Sequence, residues 1–222
     1  VAVGNGALGN QNFTTATDVF NTAVGTNAGT TLTSGIQNTL IGGIAGDALT
    51  QGARNTAVGY GTLTSDTLGQ YSVAVGFGAL NEQNLTTAVN TYNVAVGYVA
   101  GESVTTGVFN TLIGGLAGDA LIDADHNVAV GEDALGSDTY GSKSVAIGRT
   151  ALFAQNFTTA TDSLNTAVGY GAGVAVTTGI KNTFIGGLAG DVATTGSANV
   201  VLGYNADVSS SGANDQIVIG TD

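Results

Sequence analysis

The stretch Asn21-Thr22-Ala23-Val24-Gly25 decides the fold, because versions of it recur along the whole chain of 222 residues. The Gly that closes it recurs at intervals of 21, 17, 17 and 17 residues, and this series runs three times. The closing Gly residues stand at positions 4, 25, 42, 59, 76, 97, 114, 131, 148, 169, 186, 203 and 220. The sequence is therefore an internal repeat whose unit of 72 residues contains four shorter coils. We predict four-coil units at 1–72, 73–144 and 145–216, and the first strand of a further unit at 217–222, in one continuous solenoid.

Two positions before each Gly define the local structure. The residue immediately before it is Val, Ile or Leu, and the residue three before it is Val, Thr or Ile. This alternation has a period of two, which is typical of a β-strand and lacks the period of a helix. A 17-residue period fits one solenoid turn with two short strands and two tight turns. We predict an all-β protein, a β-solenoid or β-roll of thirteen coils of 17 or 21 residues, stacked about 4.8 Å apart.

The residue four before the closing Gly is also regular. It is Asn in nine of the twelve coils that contain the position, and Ser72, Ser144 and Gln216 are the exceptions. Side-chain amides in equivalent places hydrogen-bond along a stack, so an amide ladder is expected. The closing Gly is expected where φ is positive or where a Cβ would clash.

Composition excludes several classes of partner. The chain contains sixteen Asp and Glu residues but four Lys and Arg residues, which gives a net charge of −12. This charge argues against nucleic acid or anionic lipid as a partner. No apolar run approaches the ~20 residues of a membrane helix, so no membrane insertion is expected. The acidic composition is consistent with an extracellular surface.

The strands are apolar on both faces. We expect Val24, Val58, Val96, Val130 and Val168 to fill the core. The opposite face would then present Ala23, Ala57, Ala95, Ala129 and Ala167, together with Leu40, Leu112 and Phe184. Strands that are apolar on both faces are normally covered on both, so an identical chain is the simplest cover.

The strands at 21–25, 93–97, 144–148 and 182–186 read Asn or Ser, a β-branched residue, a small or large apolar residue, Val or Ile, then Gly. This pattern resembles the YadA-like head repeats of trimeric autotransporter adhesins and similar β-roll repeats of bacteriophage tail fibres. The resemblance extends over all thirteen strands. It implies a left-handed, homotrimeric roll displayed on a cell surface or virion as a stalk or adhesive head. Coils of 17 or 21 residues are longer than those usual in the adhesin heads, which keeps a phage fibre segment as an alternative.

Three functions follow as hypotheses. The first is a structural segment of an extracellular fibre or adhesin, and no residue suggests an enzyme. The second is a phage receptor-binding segment that recognises a host glycan or receptor. The third is an ice-binding solenoid, although the row that alternates between Thr22, Thr39, Thr56 and Val73 is expected to face the core.

The first coil of each unit is four residues longer and offers candidate contact or glycosylation sites. Each contains Asn-x-Thr, a glycosylation acceptor pattern that is also consistent with a turn over a buried apolar residue. The residues are Asn12 and Phe13, Asn84 and Leu85, and Asn156 and Phe157. We expect the apolar members to be exposed tips.

Acidic residues supply the remaining candidates. The third coil of each unit carries Gly-Gly-x-Ala-Gly-Asp, and a threefold axis would bring copies of Asp47, Asp119 or Asp191 around a cation such as Ca²⁺. The alternative is a turn residue that accepts backbone N–H groups. His126, which follows Asp123 and Asp125, is interpreted as part of a solvated turn. Asp138 and Glu102 are interpreted as surface carboxylates. No catalytic residue and no other cofactor is expected.

Overall fold

The computed structural model describes residues 1–221 and is all-β, with no helix in that range, as predicted. Asp222, the last residue of the predicted strand 217–222, lies outside the described residues. Fifteen strands are present: β1 (Ala2–Val3), β2 (Thr22–Val24), β3 (Thr39–Ile41), β4 (Thr56–Val58), β5 (Val73–Val75), β6 (Val94–Val96), β7 (Thr111–Ile113), β8 (Val128–Val130), β9 (Gly141–Ser142), β10 (Val145–Ile147), β11 (Thr161–Asp162), β12 (Thr166–Val168), β13 (Thr183–Ile185), β14 (Val200–Leu202) and β15 (Ile217–Ile219).

Thirteen of these strands form one parallel sheet in chain order, and β9 and β11 form a separate pair. The register joins equivalent residues of successive coils, as in Thr22 with Thr39 and Val24 with Ile41. Each coil therefore contributes one strand and stacks on its neighbours in sequence. The predicted parallel β-solenoid is confirmed.

The second strand predicted for each coil is absent from most of the described chain. Apart from β9 and β11, that side of the solenoid shows one isolated bridge, between Gln70 and Asn90. Turns take its place, and their backbone groups bond from coil to coil. Gly29 N donates to Ala45 O at 2.9 Å, and Gly46 N donates to Thr62 O at 2.8 Å. Hydrogen-bonded turns thus replace the strand in satisfying the backbone.

The two sheet faces are the reverse of the sequence prediction. Ala23, Leu40 and Phe184 are fully buried, whereas Val24 and Ile41 are 37% and 38% exposed. The alternation was predicted correctly, but the prediction of which face turns inward was wrong. Leu side chains from the turns, such as Leu32, Leu49 and Leu63, fill the narrow interior and leave room mostly for Ala on the strand.

The third coil of each unit accommodates a larger inward residue by means of a Gly. A Cβ on Gly46 would lie 2.9 Å from Leu40 Cδ2, and one on Gly190 would lie 2.2 Å from Phe184 Cδ1. A Cβ on Gly118 would likewise lie 2.8 Å from Leu112 Cδ2. The Gly of Gly-Gly-x-Ala-Gly-Asp therefore makes space for a bulky core residue.

The closing Gly residues are required by both backbone conformation and space, as expected. Gly97 has a φ of +153°, and a Cβ there would lie 2.2 Å from the carbonyl oxygen of Gly114 in the next coil. That atom is backbone and cannot rotate away. Successive coils therefore lie too close together at the end of this strand to admit a side chain.

Candidate functional site

The predicted amide ladder runs inside the solenoid. The backbone N–H of Asn38 donates to Asn21 Oδ1 at 2.8 Å, and Asn38 Nδ2 donates to Gly52 O at 2.9 Å. Most rungs repeat this pattern, so each Asn accepts from the following coil and donates across its own coil. The ladder is confirmed, with side chain-to-backbone bonds as its principal contacts.

Gln side chains from the long coils complete the ladder where Asn is missing. Ser72 N donates to Asn55 Oδ1, and Gln83 Nε2 donates to Ser72 Oγ at 2.9 Å. Gln83 Oε1 then accepts from Asn93 Nδ2 at 2.9 Å. Gln155 makes the same contacts with Ser144 and Asn165 in the next unit. The long coils are thereby tied into the interior polar network.

The long coils do not present apolar tips as predicted. Leu85 and Phe157 are only 5% and 7% exposed, and Phe13 is half-buried. The Asn residues beside them are exposed, as surface contact or glycosylation would require. They are Asn12, Asn84 and Asn156. The apolar members pack under the loop because four extra residues enlarge the coil and leave space to fill.

Asp138 is not a surface carboxylate. It is fully buried, and its carboxylate accepts from Gly141 N at 3.1 Å and from Gln155 Nε2. Asp66 occupies the equivalent place and accepts from Gly69 N at 3.0 Å and from Gln83 Nε2 at 2.6 Å. Burial raises the pKa of Asp66, although these hydrogen bonds oppose the rise. Each carboxylate therefore joins the coil that precedes a long coil to the Gln side chain of that long coil.

The candidate cation residues have partly unsatisfied carboxylates. One oxygen of Asp47 and one of Asp119 is buried without a hydrogen-bond partner, and Asp191 is half-buried. Burial raises the pKa of Asp119 to about 6, with smaller contributions from Asp133 and Glu102. Within residues 1–221, no three His, Cys, Asp or Glu residues cluster closely enough to hold a metal.

The exposed side of the thirteen-stranded sheet is a regular surface, and we call it the outer face. Its two rows contain the residues three and one before each closing Gly. The first row is Val1, Thr22, Thr39, Thr56, Val73, Val94, Thr111, Val128, Val145, Thr166, Thr183, Val200 and Ile217. The second row is Val3, Val24, Ile41, Val58, Val75, Val96, Ile113, Val130, Ile147, Val168, Ile185, Leu202 and Ile219. Neither row contains a charged residue.

Exposed aromatic side chains border the outer face just beyond the closing Gly. The rings of Tyr60, Phe77 and Tyr98 stack with centroids 5.6 Å apart at each step. Glu132 and Arg149 are the charged residues in this position, and they pair with each other at 2.8 Å. The outer face and this border are therefore nearly neutral in a strongly acidic chain.

The corner on the other side of the strands carries a second row, which we call the corner ladder. It contains the residue five before each closing Gly: Phe20, Gln37, Arg54, Tyr71, Tyr92, Phe109, His126, Lys143, Leu164, Lys181, Ala198 and Asp215. All twelve have φ between 49° and 63°. This left-handed conformation costs a residue other than Gly about 1–2 kcal/mol, yet no coil places Gly here.

The middle of the corner ladder is a continuous stack. Ring centroids are 5.1 Å apart for Tyr71 and Tyr92, 5.6 Å for Tyr92 and Phe109, and 4.8 Å for Phe109 and His126. Arg54 caps the stack with its guanidinium carbon 5.2 Å from the centre of the Tyr71 ring. His126 is exposed, as the predicted solvated turn requires, and it also belongs to this aromatic stack.

The acidic neighbours of His126 are engaged elsewhere. Asp125 Oδ1 accepts from Val108 N at 2.8 Å, and Asp123 Oδ1 accepts from Thr106 Oγ1 at 2.6 Å. Sequence analysis missed the corner ladder, although its position relative to each Gly could be counted from the repeat.

Searches against family models, curated proteins and solved structures found no significant match to the chain. Residues 1–221 include no helix with the length and apolarity needed to cross a membrane. The functional argument therefore rests on the surfaces themselves.

Proposed function

We propose that the chain is a structural segment of an extracellular fibre or adhesin, assembled as a homotrimer through the outer face. The observation that supports this most is the outer face itself, where a continuous row of Val, Ile and Leu runs beside an uncharged row of Thr, Val and Ile along all thirteen strands. Isolated apolar residues are ordinary on protein surfaces, but a contiguous apolar patch of this length indicates an interaction site. The resemblance to trimeric fibre repeats supports three copies, a left-handed roll and display on a cell or virion.

The area and charge of the outer face are consistent with self-association. At about 4.8 Å per strand and about 13 Å in width, thirteen strands offer about 800 Å², similar to what each partner buries in a standard interface. Chains with a net charge of −12 repel one another, and a neutral face is where they can meet with least repulsion. The paired Glu132 and Arg149 leave no unbalanced charge at its border.

Sedimentation equilibrium of the full chain tests the proposal. We expect a trimer at micromolar concentration, and Ile41→Lys with Ile113→Lys should shift it to folded monomer, because both side chains point outward. Val192→Lys is the matched control, since Val192 is 44% exposed but lies outside the two rows. A folded wild-type monomer, or equal dissociation by the control, would contradict the assembly.

Ice binding is the second candidate, because the reversed faces turn the row of Thr and Val residues outward. Equivalent residues of this row pair in register, as in Thr39 with Thr56, which gives a regular array. An ice-binding chain would expose the outer face rather than cover it with a copy. Thermal hysteresis by a monomer, abolished by Thr111→Lys and retained in Val192→Lys, would favour this function over the fibre. An assembled chain without effect on ice growth would exclude it.

A further inference from the structure

We propose that the segment of the corner ladder from Arg54 to Lys143, which includes the stacked side chains from Arg54 to His126, binds a linear acidic glycan laid along the solenoid axis. The ligand class is a polymer of uronic acid residues, with carboxylates at regular intervals. The inference rests on residues that do not belong to the outer face used in the proposed assembly. Its test measures ligand binding rather than oligomeric state.

The first argument is that the corner ladder does not follow the repeat. Inward positions are retained from unit to unit, as in Ala23, Ala95 and Ala167. No ladder position keeps its residue: Phe20 becomes Tyr92 and then Leu164, and the position of Arg54 becomes His126 and then Ala198. A purely structural row should repeat with the fold, whereas recognition of a ligand needs residues that differ along the row.

The second argument is conformational. Some other residues with positive φ, such as Leu63, Leu80 and Leu152, are fully buried, so core packing compensates for their backbone strain. Tyr92 and Phe109 have the same strain, yet they are 46% and 44% exposed. Gly would relieve the strain at these exposed corners. Its absence from every coil indicates that the side chains have a use outside the fold.

The third argument is charge. The corner ladder contains Arg54, Lys143 and Lys181, which are three of the four Lys and Arg residues in the chain, and the one His. Lys143 pairs with Asp162 on the exposed surface, while neither Arg54 nor Lys181 has a salt bridge within residues 1–221. Because stacked rings expose their edges, and ring edges carry partial positive charge, the row favours carboxylate and hydroxyl oxygens.

The fourth argument is geometric. The stack advances by 4.8 to 5.6 Å at each ring, and Arg54 adds 5.2 Å at its end. One sugar of an extended glycan has about the length of one coil, so successive sugars would meet successive ring edges. Arg54 at one end, and His126 with Lys143 at the other, would contact carboxylates several sugars apart.

Binding of polygalacturonate oligosaccharides to the assembled full chain tests the inference. Isothermal titration calorimetry measures the affinity, because only two of the seven Tyr residues, Tyr71 and Tyr92, lie in the ladder and Tyr fluorescence would not report on it alone. Arg54→Gln should weaken binding at least tenfold, and Tyr92→Asn with Phe109→Asn should weaken it as much. Asn tolerates positive φ, so these variants are expected to fold.

The matched controls are Arg149→Gln, which removes the one Arg outside the ladder, and Tyr204→Asn, which removes an exposed Tyr of the other border. Both should bind as the wild type does. The inference is overturned if the wild type does not bind in low salt, or if Arg149→Gln loses as much affinity as Arg54→Gln. Equal binding of neutral cello-oligosaccharides would also overturn it, because the acidic groups would then have no role.

Discussion

The side-chain amide of Gln83 donates a hydrogen bond of 2.6 Å to the buried carboxylate of Asp66, 17 residues earlier in the chain. The same amide nitrogen reaches Ser72, and its oxygen accepts from Asn93. One side chain thus joins the long coil to the coil before it and to the amide ladder after it. This linkage gives hydrogen-bond partners to the interior polar groups at the place where the coil length changes.

Gln83→Leu should lower the free energy of unfolding by about 3–5 kcal/mol, because it removes one hydrogen bond from each of three buried polar groups and takes the amide donor from the buried Asp66 carboxylate. Urea denaturation at fixed protein concentration measures the change. Glu82→Ala, at the exposed neighbouring position, is the control and should stay within about 0.5 kcal/mol of wild type. Equal effects of the two substitutions would show that the network does not stabilise the long coil.

Asn110→Ala should also be destabilising, by about 2–4 kcal/mol. Asn110 is fully buried, donates to Ala124 O at 2.7 Å and accepts from Asn127 N at 3.0 Å. The exposed Asn84→Ala is the matched control. A thermal unfolding midpoint of Asn110→Ala as high as that of the control would contradict a stabilising ladder.

Gly97→Ala should disrupt the stack, whereas Gly115→Ala should be tolerated. A Cβ at position 97 meets the carbonyl of the next coil, but one at position 115 meets no atom within 4 Å. Circular dichroism and thermal unfolding compare the two variants, which add the same methyl group. The predicted contrast fails if both variants melt at the same temperature.

Stability should fall as pH rises from about 4 to 6. The pKa of Asp119 is raised from 3.8 to about 6, so the folded chain holds this proton more tightly than the unfolded chain. Ionisation of Asp119 therefore lowers the free energy of unfolding, and this loss is complete above about pH 6. Asp119→Asn should raise the thermal midpoint at pH 7.5 and reduce the slope between pH 4 and 6.

The exposed Asp123→Asn is the control for this pH dependence and should leave the slope unchanged. Asp133→Asn should shift the transition to lower pH, because the Asp133 carboxylate helps to raise the pKa of Asp119. A wild-type slope retained in Asp119→Asn would assign the pH dependence to another group.

The repeat was sufficient to predict the strand before each closing Gly, the amide ladder and the closing Gly itself, because each depends on spacing and backbone geometry alone, whereas the prediction of a second strand in each coil was wrong. It did not decide which strand face turns inward, since Val24 and Ala23 are both apolar. The deciding clue was present but indirect. The bulky residues of the strands occur only in coils where a Gly leaves room for them: Leu40 with Gly46, Leu112 with Gly118 and Phe184 with Gly190. That coupling makes sense only if the bulky residues point inward.

The polar network of the long coils was also encoded in the sequence. Ser72 and Gln83 are eleven residues apart, as are Ser144 and Gln155, so each missing Asn is accompanied by a Gln. The interior position of Asp138 could not be predicted, because a carboxylate beside Gly and Ser also suits an exposed turn. The corner ladder could be counted from the repeat, but its residues differ from coil to coil, so no recurring residue type marked it as the amide ladder was marked by Asn.

The coil-to-coil bonds have a mechanical consequence. Nearly all of them join residues 16 to 22 apart and run along the axis of the solenoid, as between Asn38 and Asn21. A pull on the two chain ends would therefore load the coils in series, and the terminal coils would detach first. Each released coil would add 17 or 21 residues to the unfolded part of the chain, which is about 60–70 Å when extended. Under tension the protein would lengthen in steps and absorb work gradually, rather than break at a single point.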